Sequence, residues 1–163
     1  MNSLGQGQAD NREKPAKNRA LPDRAEDGEG RAEVGGGGWI IRTVVVDDSP
    51  MVLKTLSSFL QLQHDFQLVG SATDGRHAVR RVVELQPDLV LMDLRLPGIN
   101  GLEATRQIKA RSQAPAVIMV SADDTPECRA AASAAGTDGF VGKQHMFSQL
   151  RAAIKKLFPG TTI

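Results

Sequence analysis

Residues 89–101 read LVLMDLRLPGING, and this stretch decides the fold. It begins with an unbroken apolar run of strand length, which is typical of a strand buried on both faces of a parallel sheet. Asp93 ends that run, and because a carboxylate is costly to bury we expect it where the strand surfaces at its carboxyl end. Pro97 and Gly98 predict a turn, and Asn100 predicts the cap of a following helix. Asp93 is therefore expected at the strand-to-loop edge of an α/β unit.

The composition indicates one ordinary domain with a tail, because 163 residues suffice to bury a full core. Lys and Arg number 20 against 19 Asp and Glu, which does not indicate nucleic acid or an anionic membrane as a partner. Cys128 is the single cysteine and is expected to be an ordinary helix residue. The chain lacks a signal-peptide pattern and any apolar run of about 20 residues. We therefore expect a cytoplasmic protein without membrane insertion.

The first 38 residues differ from the rest of the chain. They hold almost no large apolar side chain, mix six basic with seven acidic residues, and end in four glycines. Such a segment cannot bury enough surface to offset its ordering entropy, so residues 1–38 are predicted to be a disordered tail. Residues 39–158 are predicted to form the folded domain. Residues 159–163 are its C-terminal end, with Pro159 and Gly160 ending the ordered structure.

Strand and helix patterns alternate five times after the tail. A β-branched run at residues 41–46 predicts the first strand, and Ser49 followed by Pro50 predicts the start of the first helix. The other predicted elements are strands at residues 66–71, 89–93, 116–120 and 139–142, and helices beginning near residues 75, 102, 126 and 147. This alternation predicts an α/β fold with a mostly parallel sheet covered by helices on both faces.

Polar residues follow four of the predicted strands at one edge of the sheet. Asp47 and Asp48 follow the first strand, Asp93 ends the third, Ser121 follows the fourth and Lys143 follows the fifth. Ligands of such sheets bind outside the carboxyl ends of the strands. Three carboxylates there would repel one another unless a cation is present, and a few oxygen ligands suit Mg²⁺. With a hydroxyl and an ammonium nearby, Asp93 has the surroundings needed to form an aspartyl phosphate.

These residues resemble the receiver domain of two-component response regulators, as in single-domain chemotaxis regulators, over about residues 41–158. The shared motifs are Asp47-Asp48, Asp93 followed by Pro97 and Gly101, Ser121-Ala122, and the run Phe140-Val141-Gly142-Lys143. The resemblance implies a flavodoxin-like, doubly wound sheet of five parallel strands in the order 2-1-3-4-5, with five helices. One residue departs from the family pattern, because Gln144 stands where the family commonly has proline.

The resemblance also implies a phosphorylation site and a metal site. Asp93 would be the phosphoacceptor. Asp48, Asp93 and the backbone carbonyl of Arg95 would hold Mg²⁺, and Asp47 would assist through a water molecule.

Further roles implied by the resemblance concern the surroundings of the phosphoryl group. Ser121 and Lys143 would contact its oxygens, and Phe140 would be an aromatic switch whose rotamer follows Ser121. Arg95 and Asp123 occupy loop positions that, in this family, adjust the access of water to the acyl phosphate.

The implied function is that of a stand-alone receiver in a phosphorelay. It would accept a phosphoryl group from a sensor histidine kinase or a histidine phosphotransfer protein, and its only catalysis would be its own phosphorylation and dephosphorylation. We expect no output domain after the fifth helix and no direct nucleic-acid binding. A downstream target would bind the face made by the fourth helix, fifth strand and last helix, and a phosphorylation-dependent dimer is a further expected partner state.

Two alternatives stay open from the sequence. The first is a receiver-like protein-interaction module that acts without phosphorylation, which the departure at Gln144 leaves open. The second is a phosphatase or phosphomutase of the haloacid dehalogenase type, which also uses an Asp nucleophile. That class needs a second Asp two residues after the first, whereas Ser49 follows Asp47 and Arg95 follows Asp93 at this spacing.

Overall fold

A computed structural model describes residues 33–34 and 38–163 and consists of a five-stranded sheet between two layers of helices. The strands are β1 (Ile41–Val46), β2 (Phe66–Ala72), β3 (Leu89–Asp93), β4 (Ala116–Ser121) and β5 (Gly139–Gly142). The helices are α1 (Pro50–Gln61), α2 (Gly75–Leu85), α3 (Gly101–Lys109), α4 (Pro126–Ala135) and α5 (Met146–Leu157), with a 3₁₀ turn at Lys143–His145.

Neighbouring strands of this sheet are all parallel, in the order β2-β1-β3-β4-β5. The predicted doubly wound fold and its strand order 2-1-3-4-5 are confirmed. Successive residues of a strand point to opposite faces of a sheet. Accordingly Val45 and Leu91 pack with α1 and α5 in one apolar cluster, whereas Val44 and Val90 pack with α2, α3 and α4 in a second one.

Four helices begin at side chains that cap their free backbone N–H groups. Ser49 accepts from the N–H of Val52, Asp74 from His77, Asn100 from Glu103 and Thr125 from Cys128. A cap of this kind satisfies an N–H group that has no partner inside the helix. The helix starts predicted from these residues are confirmed. All four caps follow strands at the carboxyl edge, so they also fix the loops that surround that edge.

The structure describes the two ends of the chain to different extents. Most of the predicted tail, residues 1–38, lies outside the described residues, but Glu33–Val34 pairs in an antiparallel manner with Gly38–Trp39. At the other end, ordered packing continues beyond Gly160. Ile163 is buried in the first cluster, and the hydroxyl of Thr162 lies 2.7 Å from a carboxylate oxygen of Asp65. A lone apolar residue after a Pro-Gly pair carries no periodic signal, which is why this packing was missed.

Within the part of the chain that the structure covers, no helix combines the length and the apolar character that crossing a membrane requires.

Gly101, the first residue of α3, sets how closely that helix approaches the end of β3. An added Cβ would lie 2.0 Å from the carbonyl oxygen of Asp93. We predict that Gly101→Ala lowers the free energy of unfolding by about 3 kcal/mol, because rigid backbone atoms would have to separate. Urea denaturation measures this loss. Gly139→Ala is the matched control, since a Cβ there meets only side-chain atoms at 3.4 Å or more. Equal losses in the two variants would contradict the prediction.

Candidate functional site

Two buried aspartates lie side by side at the carboxyl edge of the sheet. Asp47 follows β1 and is 1% exposed, and Asp93 ends β3 and is 4% exposed. The two strands are direct neighbours in the sheet. Carboxylates are rarely buried to this extent without partners, because a charge loses its hydration when it leaves water. Their partners therefore define the site.

The main partner is the ammonium group of Lys143. Its Nζ lies 2.6 Å from Oδ2 of Asp47 and 2.8 Å from Oδ1 of Asp93. Lys143 follows β5, which is separated from β3 by β4. Its side chain therefore reaches over the end of β4 and joins three strands of the sheet through one cation.

The second oxygen of each aspartate is held by the backbone. Oδ1 of Asp47 accepts a hydrogen bond from the N–H of Ser49 at 2.9 Å, and Oδ2 of Asp93 accepts one from the N–H of Arg95 at 2.8 Å. A carboxylate bound through both oxygens has little rotational freedom. One oxygen of each aspartate thus points to the same place, the Lys143 ammonium.

The charges in this group do not balance, because two carboxylates share one ammonium. Burial raises the pKa of Asp93 above its ordinary value of 3.8, and the charge of Asp47 acts in the same direction. Lys143 opposes this rise through its hydrogen bond and its charge. Burial alone would lower the pKa of Lys143, but its bonds to both aspartates raise it above 10.5. Lys143 therefore stays protonated, while the ionised form of Asp93 is destabilised.

The structure places the remaining predicted residues around this group. Ser121 is buried at the end of β4, and its Oγ accepts from the N–H of Asp123 at 3.1 Å. Asp123 also forms an ion pair with Arg95. This pair joins the β3–α3 loop to the β4–α4 loop at the surface, since the Arg95 side chain is 77% exposed.

Asp48 is the predicted residue that the structure does not bring into the buried group. Its side chain is exposed. Among residues 33–34 and 38–163, no three His, Cys, Asp or Glu side chains lie close enough together to hold a metal ion. The structure thus brings two carboxylates together where three were expected. A surface carboxylate gains nothing by leaving water for a place where two negative charges already face one cation.

The donor set nevertheless fits Mg²⁺. Asp47 and Asp93 each direct one oxygen at a common cation, the Lys143 ammonium, and carboxylate oxygens are the ligands that Mg²⁺ prefers. Mg²⁺ is commonly held by one or two carboxylates and otherwise keeps water or phosphate oxygens. Asp48 and the Arg95 carbonyl remain predicted ligands beside this pair.

Phe140 lies in β5 and is half-buried against the second cluster. The guanidinium of Arg129 in α4 lies over its ring, 4.7 Å from the centroid. Sequence reasoning missed Arg129 and its partner Asp124. An acidic residue just before a helix cap with an Arg in the first turn is a usable signal, but this pattern is common on helix surfaces and does not indicate a contact with β5.

The peptide bonds of the described residues are all trans, Lys143–Gln144 included.

The fold and this edge define the class of flavodoxin-like α/β proteins that carry an acidic site outside the strand ends. Within that class, the chain belongs to the family of the response regulator receiver domain, whose sequence profile matches residues 43–155. The resemblance stated from the motifs is thereby confirmed. Receiver domains in general bind Mg²⁺ and interact with histidine kinases and downstream targets.

Curated relatives contain a similar segment within longer chains. The transcriptional regulatory protein LiaR of Bacillus subtilis is 43% identical over 82 residues, which cover 50% of this chain and 39% of LiaR. The response regulator protein VraR of Staphylococcus epidermidis is 34% identical over 125 residues, covering 76% and 59%. A protein-glutamate methylesterase/protein-glutamine glutaminase of Methanospirillum hungatei is 37% identical over 91 residues, covering 56% and 26%. The chain thus spans less than two thirds of each of these relatives.

Two solved receiver-domain structures have a similar fold. The signal receiver domain of the response regulator NarL from Mycobacterium tuberculosis has a TM-score of 0.69 and 28% identity, covering 74% of this chain and 98% of that one. The response regulator domain of Thermotoga maritima CheB has a TM-score of 0.62 and 33% identity, covering 72% and 91%.

We predict that Asp93→Asn does not destabilise the metal-free protein at pH 7. The raised pKa of Asp93 means that its protonated form stabilises the fold below its unfolded-state pKa, and this contribution is lost as the pH rises through the folded-state pKa. An amide that stays neutral avoids that loss. The melting temperature of Asp93→Asn should therefore equal or exceed that of the wild type at pH 7, and the difference should shrink toward pH 4. A clear fall at pH 7 would show that the ionised form is net stabilising.

Replacement of Lys143 should have the opposite effect. Lys143→Met keeps most of the length of the side chain but leaves two buried carboxylates without a cation, and we predict that the free energy of unfolding falls by about 3 kcal/mol at pH 7. The loss should be smaller in an Asp93→Asn background, where one carboxylate has been removed. Urea denaturation of the four proteins of this cycle measures the coupling. Lys54→Met is the control, because Lys54 is exposed on α1. An equal loss of unfolding free energy in that variant would contradict the prediction.

Proposed function

We propose that the protein is a phosphorelay receiver in which Asp93 accepts a phosphoryl group from the phosphohistidine of a sensor histidine kinase or a histidine phosphotransfer protein. The observation that carries the proposal is the contact of Lys143 Nζ with Oδ1 of Asp93, at 2.8 Å, beside a second buried aspartate. An ammonium in this position faces the atom that would bear the phosphoryl group. It would neutralise charge on that group during transfer.

The transfer needs no general base. An oxygen of ionised Asp93 forms a bond to phosphorus, the P–N bond of the phosphohistidine breaks, and the imidazole leaves with the electron pair and takes a proton from solvent. The product is an acyl phosphate on Asp93. Lys143 favours both the ionised carboxylate and the transferred group, because it is positive and its raised pKa keeps it protonated.

The proposed ligands of Mg²⁺ are Asp47, Asp48, Asp93 and the backbone carbonyl of Arg95. Bound Mg²⁺ supplies the additional positive charge that neutralises the phosphoryl oxygens. The Ser49 N–H holds one oxygen of Asp47 and leaves the other directed at a cation, and the Arg95 N–H fixes the reacting carboxylate. Ser121 would donate its hydroxyl to a phosphoryl oxygen, and Phe140 would change its rotamer with Ser121.

The proposed output is a protein contact through α4, β5 and α5. A downstream target would bind this face when Asp93 is phosphorylated, and a phosphorylation-dependent dimer would use the same face. The only catalysis would be that of its own phosphorylation and dephosphorylation, within a domain comprising residues 39–158. A phosphorelay of this kind operates in the cytoplasm, with no direct nucleic-acid binding by the receiver.

We predict that the protein takes up one phosphoryl group from acetyl phosphate when Mg²⁺ is present. Intact-mass spectrometry should detect the added mass on the wild type and none on Asp93→Asn. Asp65→Asn is the matched control, because Asp65 precedes β2 at the opposite edge of the sheet and should not alter uptake. Asp48→Asn should slow uptake at low Mg²⁺ and recover at high Mg²⁺, as expected for a metal ligand.

Other outcomes identify the alternatives. A wild-type protein that takes up no phosphoryl group and shows no spectral change with beryllofluoride and Mg²⁺ would be a protein-interaction module that acts without phosphorylation. Turnover of small phosphorylated molecules would instead indicate a phosphatase or phosphomutase.

A further inference from the structure

An arginine of α4 covers the ring of Phe140. The guanidinium carbon of Arg129 lies 4.7 Å from the ring centroid, and the ring packs against the second apolar cluster. A guanidinium over an aromatic face is attracted by the negative charge density of the ring. This attraction exists only while the ring stays in its present orientation, so Arg129 favours that orientation over others.

Arg129 is itself held in place by Asp124. Its Nε donates to Oδ1 of Asp124 at 2.5 Å, and its Nη2 donates to Oδ2 at 2.8 Å. Two parallel bonds between a guanidinium and a carboxylate fix the plane of the guanidinium as well as its position. The place of the guanidinium over the ring therefore depends on the place of Asp124.

Asp124 belongs to the loop that starts at Ser121. The neighbouring residue, Asp123, donates its N–H to Oγ of Ser121 at 3.1 Å. Asp124 also lies against β5, since a Cβ on Gly142 would come within 2.6 Å of its Oδ2. A short stretch of chain thus connects the hydroxyl at the candidate site with the carboxylate that holds Arg129.

We infer that Arg129 is a positioning residue that holds Phe140 in its present orientation and releases it when the Ser121 loop rearranges. The inference rests on the proposed function for its trigger. When the Ser121 hydroxyl turns to a phosphoryl oxygen, Asp123 follows its acceptor and Asp124 moves as the next residue of the chain. The guanidinium then loses either its carboxylate or its place over the ring.

The Asp124–Arg129–Phe140 contact therefore opposes a change in the orientation of the ring. It adds to the free-energy difference between the present orientation of the ring and the alternative one, and its removal shifts the population toward the alternative. Exposed ion pairs and exposed cation–π contacts are each weak. Together they correspond to a shift of about threefold to tenfold in the equilibrium between the two orientations.

The test compares Arg129→Ala and Arg129→Lys with a matched control. Lysine keeps the charge but cannot form two parallel bonds, so both variants should lose the fixed geometry. Arg151→Ala is the control, because Arg151 lies over the ring of Phe59 at 5.5 Å, in a contact between α5 and α1 that does not involve the Ser121 loop. Circular dichroism establishes that each variant is folded, and Arg129→Lys carries the test if the alanine variant is not.

The first measurement is made on metal-free protein. Three-bond NMR couplings to the ring of Phe140 report its χ1 angle, and both Arg129 variants should show increased averaging between rotamers, whereas Arg151→Ala should match the wild type. Unchanged couplings in the Arg129 variants, or the same change in the control, would overturn the inference. This measurement does not depend on phosphorylation.

The second measurement is the apparent affinity for beryllofluoride in the presence of Mg²⁺. Arg129→Ala should bind beryllofluoride about threefold to tenfold more tightly than the wild type, because less free energy is needed for the ring of Phe140 to leave its present orientation. If the wild type binds beryllofluoride and Arg129→Ala binds it no more tightly, the proposed link between Arg129 and the candidate site is wrong. If the wild type binds no beryllofluoride, the proposed function fails, and the couplings alone then decide whether Arg129 positions Phe140.

Discussion

The sharing of one ammonium group by two buried carboxylates is the interaction on which the candidate site depends. Lys143 reaches over β4 to contact Asp47 and Asp93, so side chains from the ends of three strands meet at one nitrogen. The arrangement leaves one negative charge uncompensated. Burial is the main cause of the raised pKa of Asp93, and the charge of Asp47 adds to it, although an ammonium touches the carboxylate. The carboxyl edge of the sheet therefore carries more negative than positive charge, and a further cation would stabilise it.

This imbalance matches the chemistry that we propose. A phosphoryl group adds negative charge to a place that already has an excess of it, and a single ammonium cannot neutralise the sum. A divalent cation held by the same carboxylates can, which is why the donor set and the reaction favour the same ion. The backbone N–H groups of Ser49 and Arg95 limit the rotation of the two carboxylates. Little reorganisation is then needed when a cation and a phosphoryl group arrive.

The sequence was sufficient for the fold because its signals are local. Apolar runs mark β1, β3 and β4, and the caps at Ser49, Asn100 and Thr125 mark helix starts, so the order of elements follows before any contact is known. The resemblance supplied the strand order. Contacts between distant side chains were less predictable. Asp48 was expected to join Asp47 and Asp93, but a carboxylate takes the position that its solvation favours, and sequence spacing does not encode this. Ile163 was missed because it makes its contact through tertiary packing alone. Arg129 was missed because its local pairing with Asp124 does not indicate the contact with Phe140.

The contacts of Arg129 matter for how α4 is held, because this helix buries few apolar side chains. The buried side chains of this helix are Ala132 and Ala135, each a single methyl group; Ala132 belongs to the second cluster, and Cys128 is partly buried against it. Burial of a methyl or methylene group stabilises by about 0.8 kcal/mol, so α4 is attached to the sheet with little apolar free energy. A polar contact worth about 1 kcal/mol is minor in a well-packed helix but a substantial fraction of the total here. Since Arg129 links α4 to both the Ser121 loop and Phe140, the release that we propose would remove one of the few contacts that hold this helix on β5.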